Sequence, residues 1–238
     1  MNLRNDNRIT VFVFITFTLL LFFHFLPSYG QNPKDILMKT SEDTYLLKDI
    51  EINTLAKTVT LPCTVNMDSG LIEVVLCRPE GKTHESLLKT NVTPLEFQTA
   101  LLLLGLDPVN ELPADPKDED PLSPYLTIET PGDSLLIFIE LDVNGENSRK
   151  PVEFYIRDER TQKPIPSCSW LFRGAVTHRS GHVIIDPEMT MIATYHDPLA
   201  LMELNNADKF DDELFYVNTS AGLIKGQESK LIIQLITK

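Results

Sequence analysis

Nearly every type of reactive side chain occurs in one short segment, residues 76–88, between two apolar stretches. This segment contains Cys77, His84 and Ser86. Either Cys77 or Ser86 could act as a nucleophile with His84 as its base, because an adjacent imidazole activates a thiol or a hydroxyl. The sequence identifies no third group to orient His84 and no oxyanion hole. A hydrolase that uses Cys77 or Ser86 with His84 is therefore one hypothesis, and it stays open.

The segment resembles two known motifs, but each lacks one required residue. A phosphate-binding P-loop that ended in residues 81–83 would need a glycine at position 76, where the chain has Leu76. A zincin motif that began at residues 84–85 would need a second histidine at position 88, where the chain has Leu88. The segment therefore predicts neither a nucleotide-binding loop nor zinc-dependent hydrolysis through this motif.

The same segment offers a candidate binding motif. On an extended backbone Lys82, His84 and Ser86 share one face, because side chains alternate along a strand. With Glu85 they form the candidate binding motif Lys82, His84, Glu85 and Ser86, which would hold a small anionic or polar group. The alternative is structural, with His84 and Glu85 satisfying buried backbone or each other. We assign no catalytic residue.

Histidines elsewhere give a third hypothesis, a metal-binding protein. His178 and His182 stand four residues apart around a turn at residues 180–181, and His196 follows further along the chain. Two ligands without a third at a regular spacing do not define a site. The carboxylates of residues 107–133 lack the spacing of an EF-hand loop. The sequence therefore predicts no metal site and no cofactor.

The three cysteines, Cys63, Cys77 and Cys168, contain no Cys-x-x-Cys pair. Neither a thioredoxin-type redox pair nor a zinc ribbon is therefore indicated. An odd number permits at most one disulfide within the chain. One disulfide and three buried thiols are both consistent with the pattern.

The elements that position these residues are mainly strands. Alternating and β-branched stretches bounded by Asn, Asp, Gly and Pro are typical of strands. Such stretches cover residues 45–52, 58–61, 71–77, 134–141, 152–156, 169–172, 182–185, 191–195 and 230–236.

One helix interrupts the strands. Thr93 and Glu96 form a capping box, Pro94 fits the first turn, and Gly105 fits the C-terminal end. The run of leucines at residues 101–104 predicts burial on more than one side.

The sequence therefore predicts an α+β fold, a predominantly antiparallel β-sheet with one buried helix at about 94–104. A candidate short helix lies near 198–204, where Asp197 and Pro198 supply an N-cap and a first turn.

The N-terminal residues 1–30 follow the plan of a signal peptide, with Arg4 and Arg8 before an apolar run and small residues before position 31. We expect cleavage near Gly30, an exported protein and no later membrane span; a retained N-terminal anchor is the alternative. Residues 31–238 are expected to form a single domain, with a Pro- and acid-rich loop at about 107–133. The formal charge of −13 argues against nucleic acid as a partner.

Residues 81–88 and 100–106 resemble the YdjY domain family, and the similarity extends through residues 170–174 and 193–200 to the last strand. The resemblance implies an exported or envelope protein of bacteria without an assigned activity. Some relatives resemble iron–sulfur ferredoxins in part, but this chain lacks the clustered cysteines that such a centre needs. We therefore predict a periplasmic or secreted binding or accessory module rather than an enzyme. Its ligand, a small molecule or a protein, and its oligomeric state are left open.

Overall fold

The computed structural model describes residues 37–108, 110–113, 126–130, 132–176 and 183–236. Leu37–Lys238 form one compact unit. The predicted signal peptide, residues 1–30, lies outside the described residues. Within the described part of the chain, no helix is long and apolar enough to cross a membrane.

The described elements are seventeen strands, one α-helix and three short 3₁₀ helices. The strands are β1 (Leu37–Lys39), β2 (Thr44–Leu47), β3 (Ile50–Asn53), β4 (Thr58–Val65), β5 (Val74–Cys77), β6 (Ser86–Lys89), β7 (Asn110–Pro113), β8 (Leu126–Thr130), β9 (Ser134–Val143), β10 (Glu146–Pro151), β11 (Ile156–Asp158), β12 (Lys163–Pro164), β13 (Trp170–Phe172), β14 (Thr190–Ala193), β15 (Met202–Leu204), β16 (Phe215–Val217) and β17 (Glu228–Leu235). The α-helix is α1 (Pro94–Leu104), and the 3₁₀ helices are Val152–Tyr155, Ala207–Phe210 and Thr219–Ala221.

Eight of the strands close into a barrel. Their order is β4-β17-β9-β13-β15-β14-β5-β6, and β6 pairs back with β4 to complete the ring. The pairs are antiparallel except β14–β15 and β5–β6, which are parallel. Strands β1 to β3 continue the sheet beyond β4, and β10 pairs with β9. The predicted sheet architecture is therefore wrong, because the sheet closes on itself and contains parallel pairs, although an α+β description still fits roughly.

Alternation along the long strands fills the barrel. Strand β4 points Val59, Leu61, Cys63 and Val65 inward, and all four are buried. Strands β9 and β17 bury every second residue over most of their length in the same way. This alternation buries one face of an open sheet or the inside of a barrel equally well. The local sequence pattern could therefore predict the strands but not the closure.

Strand β13 adds the largest side chains to the core. Trp170 and Phe172 are fully buried. The indole Nε1–H of Trp170 donates to Glu153 Oε1 at 2.9 Å, so the indole's one polar group is satisfied. All three cysteines are free thiols, and Cys63 and Cys77 are buried.

The parallel pair β5–β6 has an unusually short connection. Parallel neighbours normally need a crossover of a dozen or more residues, often a helix. Here residues 78–85, called the crossover loop below, suffice. This loop contains most of the reactive segment identified from the sequence. The segment therefore serves first as the connection that lets the barrel close.

Helix α1 confirms the predicted range of 94–104. The Thr93 side chain accepts from the amide of Glu96, Glu96 caps Thr93 in return, and Gly105 ends the helix in the left-handed region with φ 94°. Burial on more than one side is wrong, because Leu102 and Leu103 are 45% and 48% exposed. The helix packs one face on β3 and β4 and turns the other to solvent.

The candidate short helix near 198–204 is also wrong. Asp197 does form a turn, since its side chain accepts from the amide of Leu199 and its carbonyl accepts from the amide of Ala200. The chain then extends into β15, which pairs with β13 and β14. Pairing on both sides within the barrel prevails over the local helix signal.

Part of the predicted loop at 107–133 is ordered as strands. β7 and β8 pair antiparallel in a two-stranded sheet. Residues 114–125, which hold half of the prolines and half of the acids of that segment, lie outside the described residues.

Candidate functional site

The crossover loop is anchored to its surroundings mainly through its backbone. The amide of Lys82 donates to the carbonyl of Glu188 at 3.1 Å, and the amide of Arg78 donates to the carbonyl of Met189 at 3.3 Å. The buried side chain of Asn66 donates to the carbonyls of Thr83 and Ser86. These bonds fix the loop between β4 and residues 186–189.

Gly81 is required by the closeness of this packing. A Cβ atom at Gly81 would lie 2.0 Å from the carbonyl oxygen of Glu188. Real Cβ atoms do not approach a carbonyl oxygen this closely, so only glycine fits. The glycine that suggested a phosphate loop is therefore needed for backbone contact.

The four residues of the candidate binding motif have separate environments. Lys82 lines a cleft, whereas the His84 side chain is 74% exposed and its Nε2 lies 3.6 Å from Glu85 Oε1. Ser86 is fully buried, and its hydroxyl donates to the carbonyl of Leu88 at 2.7 Å. Turns within the crossover loop replace the extended backbone that would have aligned the side chains. Of the four, Lys82 is the one that the structure places in a cleft.

Neither predicted nucleophile is presented at the surface. Cys77 is fully buried in β5, and burial raises the pKa of its thiol despite the hydrogen bond with Ser86. The hydroxyl of Ser86 is occupied by the carbonyl of Leu88. A raised pKa lowers the thiolate fraction that a nucleophile needs. The geometry therefore does not favour hydrolysis through Cys77 or Ser86 with His84.

The cleft is formed where the crossover loop, residues 186–188 and the end of β14 meet. Its volume is about 290 Å³, near the lower end of the ~300–1,000 Å³ of small-molecule sites. It is lined by Glu73, Val74, Lys82, Asp186, Glu188, Ala193, Tyr195, His196, Asp197, Pro198 and Leu199. Two of the stretches that resemble the YdjY family, 81–88 and 193–200, contribute to this lining.

Lys82 is shared between two carboxylates. Its Nζ lies 3.0 Å from Glu188 Oε2 and 3.5 Å from Glu73 Oε2. Partial burial alone would lower the pKa of Lys82, but the hydrogen bond with Glu188 and the charges of Glu188, Glu73 and Asp197 raise it. Lys82 therefore remains a cation held among acids.

Two carboxylates of the cleft are in an unfavourable environment when ionised. Burial raises the pKa of Asp197, and the charges of Asp186 and Glu188 raise it further. Burial and the charge of Glu85 raise the pKa of Glu73. In both cases burial is the largest cause; neighbouring carboxylates raise the pKa further, and Lys82 lowers it.

Asp186 shapes the turn that forms the cleft wall. Its Oδ1 accepts from the amide of Glu188 at 2.9 Å, and its Oδ2 accepts from the amide of Thr190 at 2.8 Å. These bonds hold the carbonyl of Glu188 where it meets Lys82. The Asp186 carboxylate therefore mainly fixes the backbone of residues 188–190.

A buried carboxylate beside the cleft was missed by the sequence analysis. Glu203 in β15 is fully buried, with Arg173 Nη1 at 3.2 Å and His196 Nδ1 at 2.7 Å, and with Lys209 Nζ on the same oxygen as Arg173. Burial alone would raise the pKa of Glu203, but hydrogen bonds from His196 and Lys209 and the charges of Arg173 and Lys209 lower it to about 2. The sequence did contain a signal for this buried carboxylate, because Glu203 stands between two apolar residues, Met202 and Leu204.

The metal hypothesis gains no support from the part of the chain that is described. Among those residues, no group of three or more His, Cys, Asp or Glu side chains could hold a metal ion. His178 and His182 lie outside the described residues. The described histidine of that hypothesis, His196, is engaged with Glu203.

The comparisons with known proteins give one family. The model of the YdjY domain matches residues 50–183. This range includes Glu73, Lys82 and Arg173 and ends before residues 186–199. No curated protein and no solved structure matched the chain.

Proposed function

Because the chain belongs to the YdjY domain family, we propose that it is a binding or accessory module, and that its ligand site is the cleft at Lys82. The observation that carries the proposal is a concave site of about 290 Å³ in which a lysine is held among carboxylates from separate segments. Concave sites with a few fixed polar groups are where proteins bind small molecules. The backbone bonds of the crossover loop support this role, since they fix Lys82 before a ligand arrives.

The charges of the cleft favour a ligand with a cationic group. Glu73, Asp186, Glu188 and Asp197 line it together with Lys82. Among the described residues, Asp197 forms no ion pair, and burial, followed by the charges of Asp186 and Glu188, raises its pKa. An amine or guanidinium group would relieve this repulsion, whereas an anion would increase it. We therefore assign the cleft to a small polar ligand that carries an amine or guanidinium group.

A titration followed by ¹H–¹⁵N NMR tests this assignment. Agmatine serves as the cationic probe and glutarate, of similar length, as the anionic probe at matched ionic strength. We expect agmatine to give saturable shifts at the amides of Lys82 and residues 195–199, and glutarate to give none. Asp197→Asn should weaken the probe about ten-fold, as expected for a hydrogen bond to a charged group. Glu228→Gln, at an exposed acid of β17, is the matched control. Saturable binding of glutarate at these amides, or no shift with agmatine, would refute the assignment.

Export is the second part of the proposal. Its support is the sequence of residues 1–30, with a basic start, an apolar run and small residues before position 31. The mature protein is then periplasmic or secreted and begins at Gln31. Mass spectrometry of the N-terminal peptide, together with fractionation of the cells, tests this. A peptide that still begins at Met1 would contradict cleavage and favour the retained anchor.

A further inference from the structure

We propose that His196 is a neutral hydrogen-bond acceptor of the cleft, and that Glu203 positions it by holding the proton on Nδ1. The proposal rests on the proposed function for its ligand class, since the imidazole would receive the N–H of the ligand's amine or guanidinium group. The state of the imidazole itself is independent of any ligand. Both residues lie beyond the range that the family model matches, which ends at residue 183.

The geometry at Nδ1 decides which nitrogen carries the proton. His196 Nδ1 lies 2.7 Å from Glu203 Oε2. An ionised carboxylate can only accept, so Nδ1 must donate. In a neutral ring the other nitrogen, Nε2, then carries the lone pair. A carboxylate that orients a histidine in this way is the arrangement that proteins use to prepare the ring's second nitrogen for a ligand.

Two cations lie beside the carboxylate that His196 contacts. Arg173 and Lys209 both contact Oε1 of Glu203, so two cations already match this carboxylate. A protonated His196 would add a third positive charge to the cluster. Two further contacts hold the residue in place: its amide donates to the carbonyl of Lys209 at 2.7 Å, and its ring lies 5.3 Å from the Phe210 ring. The acid that follows in the chain, Asp197, faces the cleft and is the carboxylate nearest in sequence.

The position of the ring directs the remaining nitrogen to the cleft. His196 lines the cleft, and its side chain is 33% exposed although Glu203 is 0% exposed. Since Nδ1 faces the buried carboxylate, Nε2 is the ring nitrogen that remains for the exposed side. Nε2 and the Asp197 carboxylate would then offer two acceptors to one cationic group. This pair would select a ligand with several N–H donors.

The first experiment measures the imidazole without any ligand. Long-range ¹H–¹⁵N correlation spectra at pH 7 report which ring nitrogen is protonated. We expect Nδ1 protonated and Nε2 unprotonated at His196, and a changed ratio of tautomers in Glu203→Gln. A purely structural role for Glu203 would leave the ratio unchanged. A ring with Nε2 protonated, or with both nitrogens protonated, would overturn the proposal.

The second experiment tests whether Nε2 is accessible. Diethyl pyrocarbonate reacts with an unprotonated imidazole nitrogen, which forms a bond to a carbonyl carbon of the reagent while ethyl carbonate leaves and decays to carbon dioxide and ethanol. We expect peptide mass spectrometry to find this adduct at His196, and the exposed His84 serves as the reference for full reactivity. Absence of the adduct at His196 under conditions that modify His84 would overturn the proposal.

The third experiment separates the acceptor from the fold. His196→Asn keeps an N–H donor near Glu203 but removes Nε2, so the variant should fold even where Glu203→Gln does not. We expect its affinity for agmatine to fall about ten-fold, with His84→Asn unchanged. Equal affinity in His196→Asn and the wild type would overturn the proposal. If agmatine binds neither protein, the proposed ligand fails, and the first two experiments still decide the state of His196.

Discussion

Replacing Gly81 by alanine tests whether the crossover loop is fixed by backbone contact. The added Cβ would lie 2.0 Å from the carbonyl oxygen of Glu188, 3.0 Å from its carbonyl carbon and 3.1 Å from Met189 Cβ. Two of these atoms belong to the backbone, so no side-chain rotation can relieve the contact. The loop and residues 188–189 must move apart.

The cost of this separation follows from two contributions. Overpacking in a well-packed region typically costs about 1–3 kcal/mol. The Lys82 amide would also lose its bond to the Glu188 carbonyl, which is worth about 1 kcal/mol. The free energy of unfolding should therefore fall by about 2–4 kcal/mol. For a domain of this size that lowers Tm by roughly 5–15 °C.

Urea unfolding followed by circular dichroism measures the change, with Gly145→Ala as the matched control. Gly145 has φ 84° and open space around its Cβ position, so alanine there adds only backbone strain of about 1 kcal/mol. Spectra of the folded Gly81→Ala protein should also show shifted amides at Lys82 and residues 186–190. If Gly81→Ala costs no more than Gly145→Ala and leaves these amides in place, the contact does not fix the loop.

Three further predictions concern the charges and thiols. Because the pKa of Glu203 is held at about 2, below its value in the unfolded chain, its stabilising effect is present above about pH 5 and is lost as the pH falls towards 2. Denaturant titrations at several pH values should therefore show this loss of stability in the wild type, and a weaker dependence of stability on pH in Glu203→Gln. At pH 7 the free energy of unfolding of Glu203→Gln should be about 3–5 kcal/mol lower than that of the wild type. The same pH dependence in both proteins would contradict the charge network proposed around Glu203. The pKa of Asp197 is raised, so the folded state binds its proton more tightly and this group's contribution to stability falls as the pH rises through its pKa. Asp197→Asn keeps an oxygen that can accept from the amide of Leu199, so it should leave the protein at least as stable as the wild type at pH 7; a lower urea midpoint would show that the negative charge itself is stabilising. Cys77 should react with a thiol reagent only at the rate of unfolding, and His84→Ala should not change that rate; fast labelling of the folded protein that His84→Ala abolishes would restore the nucleophile hypothesis.

The helix was predictable from sequence because its signals are local. Thr93, Glu96 and Gly105 lie next to the helix they cap, and each makes the predicted contact. The turn at Asp197 carried a similar signal, but the strand that follows pairs on both sides within the barrel. The N-cap at Asp197 favours a helix by only about 1 kcal/mol, which is less than the stabilisation from pairing with two neighbouring strands.

Closure of the barrel could not be predicted in this way. It depends on β4 pairing with β6 and on the parallel pairs β5–β6 and β14–β15. None of these pairings changes the alternation of buried and exposed residues along the individual strands, so the sequence pattern does not reveal them. The cleft at Lys82 was unpredictable for the same reason. Its other walls come mainly from residues 186–199, which are distant in sequence and which no local pattern connects to Lys82.

The two charge networks beside the cleft differ in what they leave for a ligand. In the buried network, Glu203 is matched by Arg173, Lys209 and the N–H of His196, so this carboxylate needs no further partner. In the cleft, Lys82 serves both Glu73 and Glu188, and Asp197 adds a further carboxylate. A ligand that brings a positive charge therefore completes the second network without breaking an existing ion pair. A ligand that brings a negative charge must displace a glutamate from Lys82, which gives the cleft its expected selectivity for cations.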